Sequence, residues 1–368
     1  MFERRLYFHI DWLLLGAILV LAGIGVAMVY STTYVVSPTG GRSAPQVWTQ
    51  VYALGIGMVA LLVCLTFDYR MLGENSLFIY GALVVLLVFV LLKGQTQMGG
   101  QRWIPIGPFH LQPSEFGRLT IALLLSMYFA ENRRGAKNTS DLVLGGILTL
   151  VPLLLIAKQP DLGTAITLLP VFLGIAFLAG LRMRLLGILI LAAVLVSPFA
   201  WKFALKDYQR GRIETFLNPE QDPRGAGYQT IQARVTVGSG GLTGKGFLKG
   251  TQGQYKFLPV AHNDFIFSVL AEEHGFIGVL VALGLYLFVI LRSLEAARLA
   301  KDRLGAYLVG GIIAGFSFQV IYNVAMSVGL APVKGITLPL MSYGGSSLIA
   351  TMATFGLILN VRMRRFTN

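Results

Sequence analysis

The acidic residue Asp264 lies where a glycine-rich, basic segment meets an apolar run, in the stretch FLPVAHNDFIFSVLAEEHG (257–275). A carboxylate at the edge of hydrocarbon is costly unless it is hydrated, paired or functional, so it marks a candidate functional site. Such a group can act as a general base. The alternative is structural, because Asn263 or Asp264 can cap a helix by accepting a backbone N–H.

Other residues of the chain have the types that would assist a carboxylate. Glu115 and Arg118 are three positions apart, so on a helix they share a face and can pair. Arg102 and Trp103 follow the third apolar run, where Trp103 is either part of a site or an interfacial anchor. Asp161 follows a proline and is placed to cap the next helix.

The segment GSGGLTGKGFLKGTQGQ (238–254) resembles a phosphate-binding loop, since glycines expose backbone N–H groups to anions. It is not a Walker A loop, because Ser239 replaces the first glycine and Gly246 follows Lys245. The segment and its flanks still supply Arg210, Lys245 and Lys249, which suit a diphosphate or anionic headgroups. Solvation of a surface loop is the alternative.

Two more features lie near the same regions. Glu272 shares a broad helical face with Asp264 but lies about 12 Å deeper at 1.5 Å per residue, so a structural ion pair is expected for it. Ser342 opens the SYGGSS stretch at the start of the last apolar run, and we include it among the candidate binding residues.

These residues must be positioned by a membrane fold. Of the 368 residues, 55% are hydrophobic and only 13% are charged, against about a quarter in soluble domains. Runs such as 13–30 and 47–67 match the roughly 20 residues that cross a bilayer as a helix. We predict an all-α integral membrane protein, one domain over 1–368 and a polytopic bundle of ten spans. Their centres are Leu21, Gly57, Val85, Leu123, Leu150, Leu173, Leu191, Leu280, Ser317 and Thr354.

The basic residues predict the orientation. Fifteen fall in the termini and short loops of one side, against five in short loops of the other, so the positive-inside rule places both termini in the cytoplasm. The one long connection, 205–262, then lies outside, and so do nearly all the unusual polar residues. Because topology accounts for the net charge of +13, we expect no nucleic-acid partner.

Metal and thiol chemistry is limited by composition. The single cysteine, Cys64, excludes an intramolecular disulfide and a thiolate metal cluster within the chain. Four scattered histidines form no zinc spacing. A divalent cation such as Mg²⁺ or Mn²⁺ stays open, because magnesium needs only one or two carboxylates besides substrate phosphates.

Six segments carry a resemblance that spans essentially the whole chain. They are QRWIPIGPFHLQPSE (101–115), AKQPDLGTA (157–165), DYQRGRI (207–213), GSGGLTGKGFLKGTQ (238–252), HNDFIFSVLAEEHG (262–275) and LPLMSYGGSS (338–347). In these segments the chain resembles the SEDS family (shape, elongation, division and sporulation). GKGFLKGTQ (244–252) is more similar to the elongation-type RodA branch than to the division-type FtsW branch.

The resemblance implies a peptidoglycan glycosyltransferase of the bacterial cytoplasmic membrane that polymerises lipid II during elongation and maintains cell shape. It implies that Asp264 is catalytic, that Trp103 is an important loop residue and that Glu115 pairs with residue 118. The chain departs from the family in having Arg118 where lysine is usual, and in lacking a glutamate shortly before His262. The implied partners are a class B penicillin-binding protein, MreC and MreD.

Three other functions remain open on the residues. A polytopic bundle can transport lipid II instead of polymerising it, or can act in division as an FtsW-like polymerase. A non-catalytic scaffold for a cell-wall complex is the third, and it requires that Asp264→Asn be tolerated.

Overall fold

The structure is a computed structural model that describes residues 9–36, 42–43, 45–97, 100–107, 109–132, 139–182, 207–222, 225–255 and 257–366, with isolated positions between 184 and 199. In chain order the helices are α1 (Trp12–Thr33), α2 (Pro45–Thr66), α3 (Tyr69–Glu74), α4 (Ser76–Lys93), α5 (Gly117–Glu131), α6 (Thr139–Lys158), α7 (Leu162–Ile166), α8 (Leu168–Leu178), α9 (Asp207–Leu217), α10 (Ala226–Ser239), α11 (Thr251–Gln254), α12 (Ile266–Arg298), α13 (Arg303–Ser327) and α14 (Gly345–Met363). The predicted all-α class is confirmed.

Within the described ranges, seven helices are long and apolar enough to cross a membrane, namely α1, α2, α4, α6, α12, α13 and α14. The apolar helices α5, α7 and α8 are shorter. Nine predicted span centres lie in these helices. The tenth, around Leu191, falls in 183–206, where most residues lie outside the described ones.

Helix α14 packs along α2, and α13 packs along α8 and α5. Helix α14 is almost entirely buried, which explains its lower hydropathy, since its polar side chains face protein and not lipid. Asn360, for example, donates from Nδ2 to the backbone oxygens of Cys64 and Phe67, at 2.8 and 2.6 Å. These bonds satisfy carbonyls at the end of α2 that have no partner within the helix.

Short β-strands lie in the connection between α1 and α2 and in the connection between α4 and α5. Strands β1 (Val35–Val36) and β2 (Arg42–Ser43) pair antiparallel, and β3 (Gln95–Gln97), β4 (Gly100–Ile106) and β5 (Phe109–Leu111) form a three-stranded antiparallel sheet in that order. The sequence analysis did not predict these strands. The sheet carries Arg102 and Trp103 between α4 and α5.

The structure describes residues 207–222, 225–255 and 257–262 of the long connection. The segment GYQTIQARVTVG (227–238) lies in α10. Helix α10 packs against α12, and the turns that follow it run beside the first part of α12.

Helix α12 is broken at Gly275, which has φ 65° and ψ −165°. The break frees backbone groups, and the loop after α10 binds them. The amides of Phe276 and Ile277 donate to the oxygens of Gly241 and Leu242, at 2.9 and 3.1 Å. In the other direction the loop amides of residues 245 and 246 donate to the oxygens of residues 272 and 273, both at 2.9 Å. The loop thus substitutes for the missing helical bonds.

Both ends of the described chain lie at one end of the bundle. Asp11, which caps α1, accepts from Arg292 and Arg362 at 2.9 and 3.0 Å, and Glu295 bridges the same two arginines. These arginines stand near the last turns of α12 and α14. Ser346 stands in the first turn of α14, 16 residues before Arg362, and is thus about 24 Å from it along that helix.

Candidate active site

A cavity of about 350 Å³ lies at the end of the bundle opposite the two described chain ends. Its wall is built from the sheet between α4 and α5, the entry to α7, the loop before α12 and the connection between α13 and α14. Five candidate residues named from the sequence line it, namely Arg102, Trp103, Glu115, Asp161 and Asp264, and Lys334 lies on the same wall. These five residues are far apart in the chain and meet at one cavity.

The backbone around Asp264 is held by several hydrogen bonds. The amide of Asp264 donates to the oxygen of Val260 at 3.2 Å. The buried side chain of Asn323 in α13 donates to the oxygens of Asp264 and Ile336, at 2.9 and 2.7 Å. Phe265 is the N-cap residue of α12, so Asp264 stands one position before the cap. Asp264 is therefore positioned at the cavity by contacts from two other segments.

The predicted pair between Glu115 and Arg118 is present. Arg118 donates from Nη2 to Oε2 of Glu115 over 2.7 Å, across the junction of the 3₁₀ turn Pro113–Phe116 and α5. Glu115 faces the cavity, whereas Arg118 is not among the described residues on its wall and lies deeper in the bundle. The arginine thus supports the carboxylate from behind.

Asp161 joins three segments at the cavity. Its carboxylate accepts from the amide of Thr164 at 3.2 Å, which confirms the predicted cap at the start of α7. It also accepts from Gln112 Nε2 at 2.8 Å and lies 3.4 Å from Nη1 of Arg102. Asp161 is therefore the group that orients Arg102 on the wall.

Ser342 acts beside the cavity and not on its described wall. Its hydroxyl donates to the oxygen of Asn263 at 2.6 Å and accepts from the amide of Leu338 at 2.8 Å. The buried side chain of Gln50 donates from Nε2 to the backbone oxygen of Ser342 at 3.1 Å. Its role as a binding residue stays a prediction, while its contacts tie the connection after α13 to the residue before Asp264.

The three candidate cations of the long connection, Arg210, Lys245 and Lys249, are not among the described residues that line the cavity. Lys245 donates from Nζ to Oε1 of Glu272 at 2.6 Å, and Glu272 is 0% exposed. The structural pair expected for Glu272 is thus present, with Lys245 as its partner. Lys249 is exposed on the same loop, and Arg210 lies on α9. Binding of a diphosphate by these three residues stays a prediction.

The sequence analysis missed several polar residues on the wall. They are Gln112, Thr164, Gln229, Asn263, Ser346 and Ser347. All are uncharged, so a search for ionisable residues passes over them. All of them except Gln229 stand inside segments that carried the family resemblance, which was the available signal.

His262 precedes Asn263 and packs its ring on Tyr343, with ring centroids 5.6 Å apart. Burial lowers the pKa of the His262 imidazole below its ordinary value, because the charged form loses hydration. His262 is not among the described residues that line the cavity, so the carboxylates on that wall, Asp264, Glu115 and Asp161, are the groups placed for proton transfer there.

The donor set does not fit a metal held by the protein alone. Throughout the described ranges, no group of three or more histidine, cysteine, aspartate or glutamate side chains is placed to hold a metal ion. We derive no step through a metal.

Comparison with known families agrees with this geometry. The family model for the cell cycle proteins FtsW, RodA and SpoVE matches residues 11–366. The chain belongs to this family. The match covers every helix described above, so the predicted SEDS resemblance is confirmed and the chain is a multi-pass membrane protein.

Curated members of the family are similar over nearly the full length. The chain is 37% identical to the peptidoglycan glycosyltransferase MrdB of Escherichia coli K12 over 342 residues, which is 92% of each chain. It is 31% identical to the peptidoglycan glycosyltransferase RodA of Treponema pallidum, covering 96% of this chain and 98% of that protein. A probable peptidoglycan glycosyltransferase FtsW of Trichlorobacter lovleyi is 36% identical, covering 95% and 92%.

Solved structures of family members share the fold. One chain, from a peptidoglycan synthase complex that coordinates polymerization and crosslinking, has a TM-score of 0.84 and 32% identity, covering 98% of this chain and 99% of that one. The rod shape determining protein RodA of Thermus thermophilus has a TM-score of 0.72 and 30% identity, covering 98% of both chains.

Proposed function

We propose that this protein is a peptidoglycan glycosyltransferase that polymerises lipid II during cell elongation, with Asp264 as general base. The observation that carries the proposal is the convergence of Asp264, Glu115 and Arg102 on one cavity. The relatives named glycosyltransferases supply the reaction class. The elongation role rests on the RodA-like segment 244–252, and an FtsW-like division role is its alternative.

The proposed reaction joins two lipid-linked sugars. A hydroxyl of the acceptor sugar attacks the anomeric carbon of the donor, and the carbon–oxygen bond to the polyprenyl diphosphate breaks. Asp264 takes the hydroxyl proton, and the bond electrons leave with the diphosphate. Attack opposite the leaving group inverts the donor, so an α-linked donor yields a β-linked glycan. A base of this kind contributes about 10² to 10⁴ in rate.

The leaving diphosphate needs charge stabilisation more than protonation. Arg102 and Lys334 are the cations on the described wall, and a guanidinium suits a diphosphate because it offers parallel N–H donors. Asp161 orients Arg102 through the 3.4 Å ion pair. Placed cations of this kind stabilise the charge that develops in the transition state.

The proposal includes an orientation. The basic residues place both termini in the cytoplasm, so the cavity faces outside, where lipid II has already crossed the cytoplasmic membrane. A transporter would place its substrate groups near the bilayer midplane on broken helices. The cavity here is lined by loops and helix ends, which favours chemistry on a delivered substrate.

The proposal also includes partners and leaves a metal optional. A class B penicillin-binding protein would crosslink the product strands, and MreC and MreD would complete the elongation assembly. The synthase complex whose chain has a similar fold supports the first of these. A Mg²⁺ or Mn²⁺ ion bound jointly with the substrate diphosphate stays a prediction, tested by polymerisation with and without chelator.

The experiment compares wild type with Asp264→Asn after purification with the cognate transpeptidase. The variant keeps the size of the side chain and removes the base, and we expect polymer formation from lipid II to fall by about 10²-fold or more. Glu220→Gln is the matched control, because Glu220 is an exposed carboxylate in the 3₁₀ turn Pro219–Gln221. We expect it to polymerise like wild type.

Folding and lipid II binding are measured on all three proteins. Loss of polymer with intact folding and binding in Asp264→Asn alone supports the proposal. Undiminished polymer from a folded Asp264→Asn protein contradicts it and directs attention to Glu115 and Asp161.

A further inference from the structure

Two small cavities lie in the bundle below the main cavity. One of about 10 Å³ is lined by Glu115, Thr164, Thr167 and Thr337, and shares Glu115, Thr164 and Thr337 with the main cavity. The other, of about 20 Å³, is lined by Arg118, Thr351 and Thr354. Gln319 of α13 lines both, so the two cavities border on the same residue. Each is close to the space that a single water molecule needs.

Gln319 is buried without a protein partner in the described part of the chain. Its residue is 5% exposed, and none of the described residues hydrogen-bonds its side-chain amide. The amide atoms keep some accessible surface although the residue is largely buried, and most buried polar side chains have a protein or water partner. The surroundings of Gln319 therefore point to water as its partner.

Arg118 has the same requirement. Its Nη2 donates to Glu115, but the buried Nη1 has no partner among the described residues. A guanidinium carries five N–H donors and cannot become neutral, so a single carboxylate does not satisfy it. Its position on the wall of the 20 Å³ cavity puts it next to the Gln319 amide and two threonine residues.

We propose that each small cavity binds one water molecule, and that Gln319 bridges the two waters and thereby acts as a positioning residue for the pair of Glu115 and Arg118. The polar lining offers the two to four partners that a buried water needs. A bridging water is nearly as favourable as a direct hydrogen bond. The waters complete the hydrogen bonding of Arg118, and Arg118 in turn orients the Glu115 carboxylate at the main cavity.

The two parts of this proposal have different foundations. Hydration of the cavities depends only on their size and lining. The positioning role rests on the proposed glycosyltransferase function, because it is read out as polymer formation. The tests below therefore include one that does not need activity.

Hydroxyl-radical labelling by brief irradiation tests hydration directly, since radicals formed from an internal water oxidise the side chains beside it. Phe316 and Phe355 line the 20 Å³ cavity and are 6% and 1% exposed. Phe129 is 0% exposed and is not among the described residues of either small cavity. We expect labelling of Phe316 or Phe355 well above Phe129, and its loss in Gln319→Leu. Labelling of both at the Phe129 level in wild type overturns the proposal.

Two substitutions of Gln319 separate hydration from packing. Gln319→Leu fills the site with apolar groups and excludes water, whereas Gln319→Ala leaves room for water to replace the amide. If hydration positions the pair, turnover falls about tenfold in the leucine variant and less in the alanine variant, with the KM for lipid II little changed. If Gln319 only packs, the alanine variant is the worse of the two, and that order overturns the positioning role.

Folding is checked for both variants by thermal unfolding, and the turnover of each is compared at equal folded fraction. Wild type without polymerase activity would contradict the proposed function, whereas the labelling of Phe316 and Phe355 would still decide the hydration.

Discussion

Lys245 Nζ lies 2.6 Å from Glu272 Oε1, and this ion pair joins the glycine-rich loop to the helical segment that starts beside Asp264. The same carboxylate oxygen accepts from the amide and the hydroxyl of Thr251, at 2.9 and 3.0 Å. With the backbone bonds across the break at Gly275, these contacts hold the segment between Asp264 and the break. The loop is thus a support for the candidate base.

We predict that Lys245→Met destabilises the protein and lowers polymer formation. It leaves the buried Glu272 carboxylate without its cation, and removing one partner of a buried pair costs about 3–5 kcal/mol. Lys245→Arg keeps the charge and is the control. The measurement is the melting temperature in detergent together with polymer yield from lipid II.

The double variant Lys245→Met with Glu272→Met tests the cause. Because it removes the unpaired charge, we expect it to recover part of the melting temperature lost in Lys245→Met. A double variant less stable than both single variants would show that the ion pair is not the source of the loss.

Gly275→Ala is predicted to destabilise the broken helix. Gly275 has φ 65°, and a Cβ there would clash with the amide nitrogen of Gly244. The strain alone costs about 1–3 kcal/mol, and the contact would displace the loop that supports Asp264. Both melting temperature and polymer yield should fall.

Gly284→Ala is the matched control in the same helix, since a Cβ there has no neighbour within 4 Å. We expect it to unfold at the temperature of wild type or slightly above. Equal behaviour of the two variants would mean that the break at Gly275 does not depend on glycine.

Arg118→Lys should keep most of the activity, and Arg118→Met should lose it. A lysine at 118 can still pair with Glu115, whereas methionine leaves a buried carboxylate unpaired, which we expect to lower turnover by about 10²-fold. Turnover and KM for lipid II are measured for both at matched folded fractions. Full activity of the methionine variant would remove the pair from the mechanism.

Asp302 should make the protein less stable in acid. Burial alone would raise the pKa of its carboxyl, but hydrogen bonds from the Gly305 amide, Tyr69 and Arg70 together hold that pKa below its ordinary value of 3.8. A lowered pKa in the folded state contributes stability above the unfolded value, and this contribution is lost as the pH falls through the folded pKa. Wild type should therefore lose melting temperature below about pH 4.

Asp302→Asn removes this titration, so the difference in melting temperature between wild type and variant should be present at pH 7 and should shrink in acid. The comparison of the two proteins cancels the acid effects of other carboxylates. A difference that stays constant from pH 7 to pH 3 would contradict the assignment.

The sequence by itself determined the fold class and named five candidate residues of the cavity wall. In a bilayer each span must form its own backbone hydrogen bonds and expose apolar side chains to lipid, so the hydropathy of a segment is enough to identify it as a helix. Nine predicted span centres accordingly lie in helices of the structure. The pair of Glu115 and Arg118 and the cap at Asp161 were also predictable, since both depend on residues three apart on one helical turn.

The tertiary structure alone decided which distant groups meet. Lys245 pairs with Glu272, 27 residues later, and this pairing depends on how the loop folds back on α12. The break at Gly275 and the unpartnered amide of Gln319 were equally invisible, because a glycine in a span or a glutamine in a helix has many ordinary uses. Local patterns specify helices, whereas burial and partner choice arise only when the helices and loops are packed together.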